Sequence, residues 1–183
     1  MNTNLPIVDP IAAIEHWLDA MVIGQNLCPF ASSARRKGLV RIVVADTDSE
    51  AQCLQQLADE ANRLETIEGD ATTLFVLPRG FEDFDDYLDL LAVADALMED
   101  LDFEGILQLA SFHPDYQFDG TDYDDVSNWT NRSPLPILHL LKEDAVSRAV
   151  DAHPDPEGIP ARNVEKLEQL GLAGILQILN SGD

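Results

Sequence analysis

Six side chains that bind or transfer protons fall on one short polar stretch. His113, Asp115, Tyr116, Asn131, Arg132 and Ser133 lie between two apolar, strand-like runs, Gly105–Phe112 and Pro136–Leu141. Loops pinned by a sheet are where binding and catalytic groups usually sit. His113 ends the first run and precedes Pro114, which biases it toward extended backbone. An imidazole there can act as general acid or base, with Asp115 two residues on to orient it. Arg132 offers a planar fork for a carboxylate or phosphate; Asn131, Ser133 and Tyr116 add directional hydrogen bonds. The competing reading is a loop-stabilising His–Asp pair and an ion-paired arginine, with Asp122, Asp124 or Asp125 nearest in sequence.

Three further groups extend the candidate set. His139 sits mid-run in Pro136–Leu141, where a satisfied interior histidine is the default. A metal held by His113, Asp115 and His139 is the sharper alternative, but no tight ligand spacing supports it, so no metal and no cofactor are assigned. If the two runs pair as a wide antiparallel hairpin, His113 falls near Pro136 and His139 lies about 10 Å away. Cys28 is a candidate nucleophile, although it follows a helix end, where the negative pole disfavours a thiolate. Arg35, Arg36, Lys37 and Arg41 form either an anion-docking rim, with Arg41 touching substrate, or a turn that balances local acids.

The elements that would hold these groups follow from apolar periodicity. Asp9-Pro10 caps a helix from Pro10 to Ile23 or Gln25, which Cys28-Pro29 stops. Leu39–Ala45 reads as a strand, and Thr47–Glu50 as a capping box for a helix carrying Leu54, Leu57, Ala61 and Leu64. Thr73–Leu77 is a second strand, followed by a helix marked by Phe84, Tyr87, Leu91, Ala94 and Met98. Gly105–Phe112 and Pro136–Leu141 are the third and fourth strands, with Thr121–Thr130 open to a short crossover helix. Glu143–Ala152, Ala161–Leu170 and Leu172–Leu179 read as helices, with Gly171 ending the middle one. Alternating elements and near-continuous apolar strands predict a single α/β domain over residues 1–183. Its mostly parallel, or mixed, sheet of about four strands is built from β-α-β units, with N- and C-terminal helices packed on it.

Composition narrows the partners. With 34 acids against 11 Lys and Arg, the net charge of −23 repels nucleic acid and anionic membranes. No apolar run is long enough to span a bilayer, and no export signal opens the chain. Two cysteines without framework spacing fit free thiols in the cytoplasm. Dinucleotide, Walker, HExxH, GxSxG and CxxC signatures are absent from the sequence.

Several blocks together resemble a bacterial family, domain of unknown function 1415. They are Asn26–Ala31 (NLCPFA), Val40-Arg41, Ser111–Phe118 (SFHPDYQF), Asn131–Pro134 (NRSP) and Leu138–Leu141 (LHLL). Leu135 stands where the family usually carries an aromatic residue. The resemblance implies a compact intracellular protein whose polar blocks include Cys28, His113, Asp115, Asn131, Arg132 and His139; it brings no activity, cofactor or partner. The chemistry alone therefore gives the expectation: an enzyme or enzyme-like protein acting on a small anionic metabolite at the strand ends. His113 and Asp115 would be its acid–base pair and Arg132 its anion clamp. The alternatives are a non-catalytic small-anion binder and an acidic protein-interaction module whose partner the sequence does not name.

Overall fold

The computed structural model describes residues 9–182. Asp9 caps helix α1 (Pro10–His16) by accepting from Ala12 N–H at 3.1 Å, and the helix widens into a π-helical stretch, Trp17–Ile23. Then come α2 (Ala31–Arg36), β1 (Val40–Val44), α3 (Glu50–Thr66), β2 (Thr72–Val76), α4 (Phe84–Asp100) and β3 (Leu107–Phe112). A long loop containing a 3-10 turn, Val126–Thr130, leads to β4 (Ile137–Lys142), α5 (Glu143–Ala152) and α6 (Ile159–Leu179). Helix α6 breaks at Gly171, whose φ of 60° and ψ of 170° belong to glycine alone, so the expected helix end lies there.

The sheet order is β1-β2-β4-β3. Only β1 and β2 pair in parallel; β4 runs antiparallel to both neighbours. The mostly parallel sheet expected from the alternating pattern is therefore a mixed one, with two of its three pairings antiparallel. The cause is the 113–136 connection. Its Gly120, Asp122, Asp124, Asp125 and Asn128 are poor helix formers, so no crossover helix builds and the chain turns back. Asp125, not Thr121, caps the one short turn that does form, by accepting from Ser127 N–H at 2.8 Å.

Both faces of the sheet are covered, which is why every residue of β2 is buried. Helices α3 and α4 pack Leu57, Ala61, Leu64, Tyr87, Leu90 and Ala94 against Phe75, Leu138 and Leu140. On the other face α1, the π-helical stretch and α6 pack Ile14, Trp17, Met21, Leu167 and Ile175 against Leu74, Val76 and Ile137. The expected capping box at Thr47 does not form. Ser49 precedes α3 without a side-chain cap, and the Thr47 hydroxyl turns to Gln52 Oε1 at 2.7 Å. No helix among the described residues is long and apolar enough to cross a membrane.

Candidate functional site

The register pairs Phe112 with Ile137, so His113 falls opposite Pro136 at the mouth of the 113–136 loop. Strand alternation turns His113 toward α4, where its ring lies 5.1 Å from both Phe84 and Tyr87. The side chain is fully buried. Nε2 donates to Phe81 O at 3.0 Å, and Nδ1 accepts Asp115 N–H at 3.0 Å. Burial pushes the imidazole below its ordinary value, outweighing the Phe81 carbonyl and the nearby Asp115, Asp83 and Glu82 carboxylates. The result is a neutral ring with both nitrogens spent. Asp115 meets it through its backbone, while its carboxylate accepts Tyr123 O–H at 2.5 Å.

Arg132 is buried too, though less completely, at 7% exposure. Nε donates to Tyr116 O at 3.0 Å and Nη2 to Tyr123 O at 2.6 Å. The guanidinium carbon sits 4.6 Å over the Tyr123 ring and 5.3 Å from Trp129. Among the described residues no carboxylate pairs with it, so carbonyls and aromatic faces carry the charge. Asn131 donates to Ser111 O at 3.0 Å, and Ser133 Oγ to Leu135 O at 2.5 Å. These polar groups therefore tie the loop to the strand and to itself.

The centre of that network is Asn128, fully buried and not singled out by the sequence reading. Its Oδ1 accepts Phe118 N–H at 3.0 Å and lies 2.9 Å from the Thr121 hydroxyl; Nδ2 donates to Asp122 O at 2.9 Å and Tyr123 O at 3.4 Å. Its one signal was an asparagine among turn formers, where the amide can stand in for backbone partners.

The remaining candidates lie apart. His139 projects to the face opposite His113, beside Phe112 at 6.1 Å, and its Nε2 lies 2.6 Å from Thr72 Oγ1. That hydroxyl donates to Leu140 O at 2.6 Å, so Nε2–H is the donor to it. Burial pushes His139 down to about 4. With the imidazoles on opposite faces, the His113, Asp115 and His139 metal set is not assembled; among the described residues no group of three ligating side chains is. Cys28 is half-buried against the α1 and α6 side of the sheet, again across from His113. Arg41 is an exposed β1 residue whose guanidinium grips Glu60, shared with Arg63. Those two arginines hold the Glu60 carboxyl below its ordinary value despite the opposing cost of its burial. Arg35 pairs with Glu15 and Asp19, and Lys37 with Asp70, so with Arg41 three of the four cations in the 35–41 cluster balance local acids, while Arg36 donates to Ser32 Oγ at 3.1 Å.

What the loop presents outward is a cleft of about 480 Å³ between its 116–120 segment and the first turns of α4. Phe84, Tyr116, Phe118 and Leu88 line it, with the carboxylates of Asp85 and Asp119 and no cation. Tyr116 packs 5.2 Å from Phe84 and 5.0 Å from Phe118, so the rings form one wall.

A family model described as protein of unknown function (DUF1415) matches residues 9–177. No curated protein and no solved structure matches the chain significantly.

Proposed function

Because the chain belongs to the family described as protein of unknown function (DUF1415), its site must speak for it, and we propose a ligand-binding module for a small organic cation. The cleft between α4 and the 116–120 segment is the binding place. One observation carries this reading: three aromatic rings and two carboxylates line the cleft, and no basic side chain does. Aromatic faces attract a cation with about 0.5–2 kcal/mol per contact, the more so when water is excluded. The rim carboxylates and the net charge of −23 draw the same ligand in.

The geometry favours binding over turnover. His113, the expected acid–base group, has no free nitrogen and no route to solvent. Arg132, the expected anion clamp, spends Nε and Nη2 on its own loop. Both instead brace the wall that the ligand would meet. An enzyme acting on an anionic metabolite here would need both groups released, and nothing in the packing favours that.

Calorimetric titration at fixed ionic strength tests the proposal, with tetramethylammonium, arginine and spermidine against citrate. Organic cations should bind saturably and emerge chemically unchanged. Phe84→Leu and, independently, Asp119→Asn should each weaken them about three- to thirtyfold, the equivalent of one lost cation contact. Binding of citrate alone, or affinities untouched by both substitutions, would overturn it.

A further inference from the structure

A second hollow, about 260 Å³, opens on the far side of the sheet between the chain following the π-helical stretch and one face of α6. Arg162, Asn163 and Lys166 recur at helical spacing along that face, and Gln25, Asn26 and His153 complete the polar lining. None of the lining residues is acidic, in a chain with 34 acids. Asn163 Nδ2 donates to Leu27 O at 2.8 Å, stapling the 25–29 segment to α6. Asn26 is held there with a left-handed φ of 56°. Arg162 is already matched, since both of its terminal nitrogens hold Asp155. Three donors are not matched. Among the described residues the Lys166 ammonium and the Asn26 amide have no hydrogen-bond partner or ion pair. The His153 ring accepts Asp155 N–H at Nδ1 (3.1 Å), which leaves Nε2–H to donate.

We propose that this hollow binds the phosphoryl group of a small metabolite. Three separate donors suit the three terminal oxygens of a phosphoryl group better than the two of a carboxylate. Lys166 supplies the uncompensated charge, as lysine does in many phosphate sites. The volume lies just under the roughly 300–1,000 Å³ of ordinary small-molecule sites, which suits a phosphate with a short organic tail. The inference does not rest on the aromatic cleft, which faces other elements and selects the opposite charge.

The test is an amide NMR titration of the whole protein with inorganic phosphate and with glycerol phosphate, ionic strength being held by chloride. Saturable shifts at Gln25, Asn26 and His153 are expected. Lys166→Gln should weaken binding at least fivefold, and His153→Gln should weaken it too, while Phe84→Leu leaves it unchanged. Tighter binding of glycerol phosphate identifies a phosphorylated metabolite, and equal binding identifies the free ion. Shifts that chloride reproduces, or an affinity that survives Lys166→Gln, would overturn the site. Lys166 is exposed, so its replacement leaves the fold intact.

Discussion

Acid should unfold this protein through its histidines, and His139 allows the size of the effect to be worked out. Folded, its imidazole is held neutral by burial down to about pH 4. Unfolded, it takes a proton near the ordinary value of about 6.5. Below that point the unfolded chain binds more protons than the native one, so stability falls as pH drops from about 6.5 toward 4. Carried to about pH 5, the difference is ~2 kcal/mol. Among the described residues Nδ1 has no hydrogen-bond partner and no buried side-chain nitrogen or oxygen goes unpartnered, so this atom touches water. That contact trims the expected loss to about 1–2 kcal/mol. His113 adds a loss of the same sign. Carboxylates held low by partners, such as Glu60, add more as they protonate, so the comparison must be differential. His139→Gln places an amide nitrogen near Nε2 and can still donate to Thr72. Urea unfolding followed by tryptophan fluorescence, at about pH 7.5 and about pH 5, should show the natural protein losing about 1–2 kcal/mol more than the variant. Parallel losses in the two proteins would refute the reasoning.

Asn128→Ala removes both ends of a buried amide, stranding Phe118 N–H and the Asp122 carbonyl without their partner. A loss of about 2–4 kcal/mol is expected by chemical denaturation, with faster hydrogen exchange confined to the 113–136 loop. Gly171→Ala meets no neighbouring atom, so its cost is backbone strain alone. About 1–3 kcal/mol should be lost, and a melting temperature unchanged by the substitution would contradict the break in α6.

The elements were legible because their cues are local. Asp9-Pro10 sets the first cap, the 54–64 and 84–98 stripes bury as their spacing requires, and Gly171 breaks α6. The place of β4 was not legible, because pairing it between β2 and β3 depends on contacts with residues at least 25 positions earlier in the chain. Thr47 misled for a related reason: its hydroxyl found Gln52, a choice no four-residue pattern contains. Cys28, His139 and Arg41 lie apart, whereas His113, Asp115, Tyr116, Asn131, Arg132 and Ser133 do share one loop. Their direction was hidden, since His113 and Arg132 look alike in a sequence whether they meet a ligand or their own chain's carbonyls. Phe84 and Phe118, whose rings line the cleft, were indistinguishable from core residues, because aromatic side chains serve both ends.

The late insertion of β4 governs how the chain can be made. A ribosome releases β1, β2 and β3 well before Ile137 emerges, and until then β2 shows a bare edge of strongly apolar residues, Leu74, Phe75 and Val76. Open edges of that kind invite pairing with other nascent chains. Closure waits until Ile137–Lys142 is made, when one strand docks between two others and seals both flanks at once. The surplus of acids, spread along α4 and the loops, keeps neighbouring chains apart during that interval.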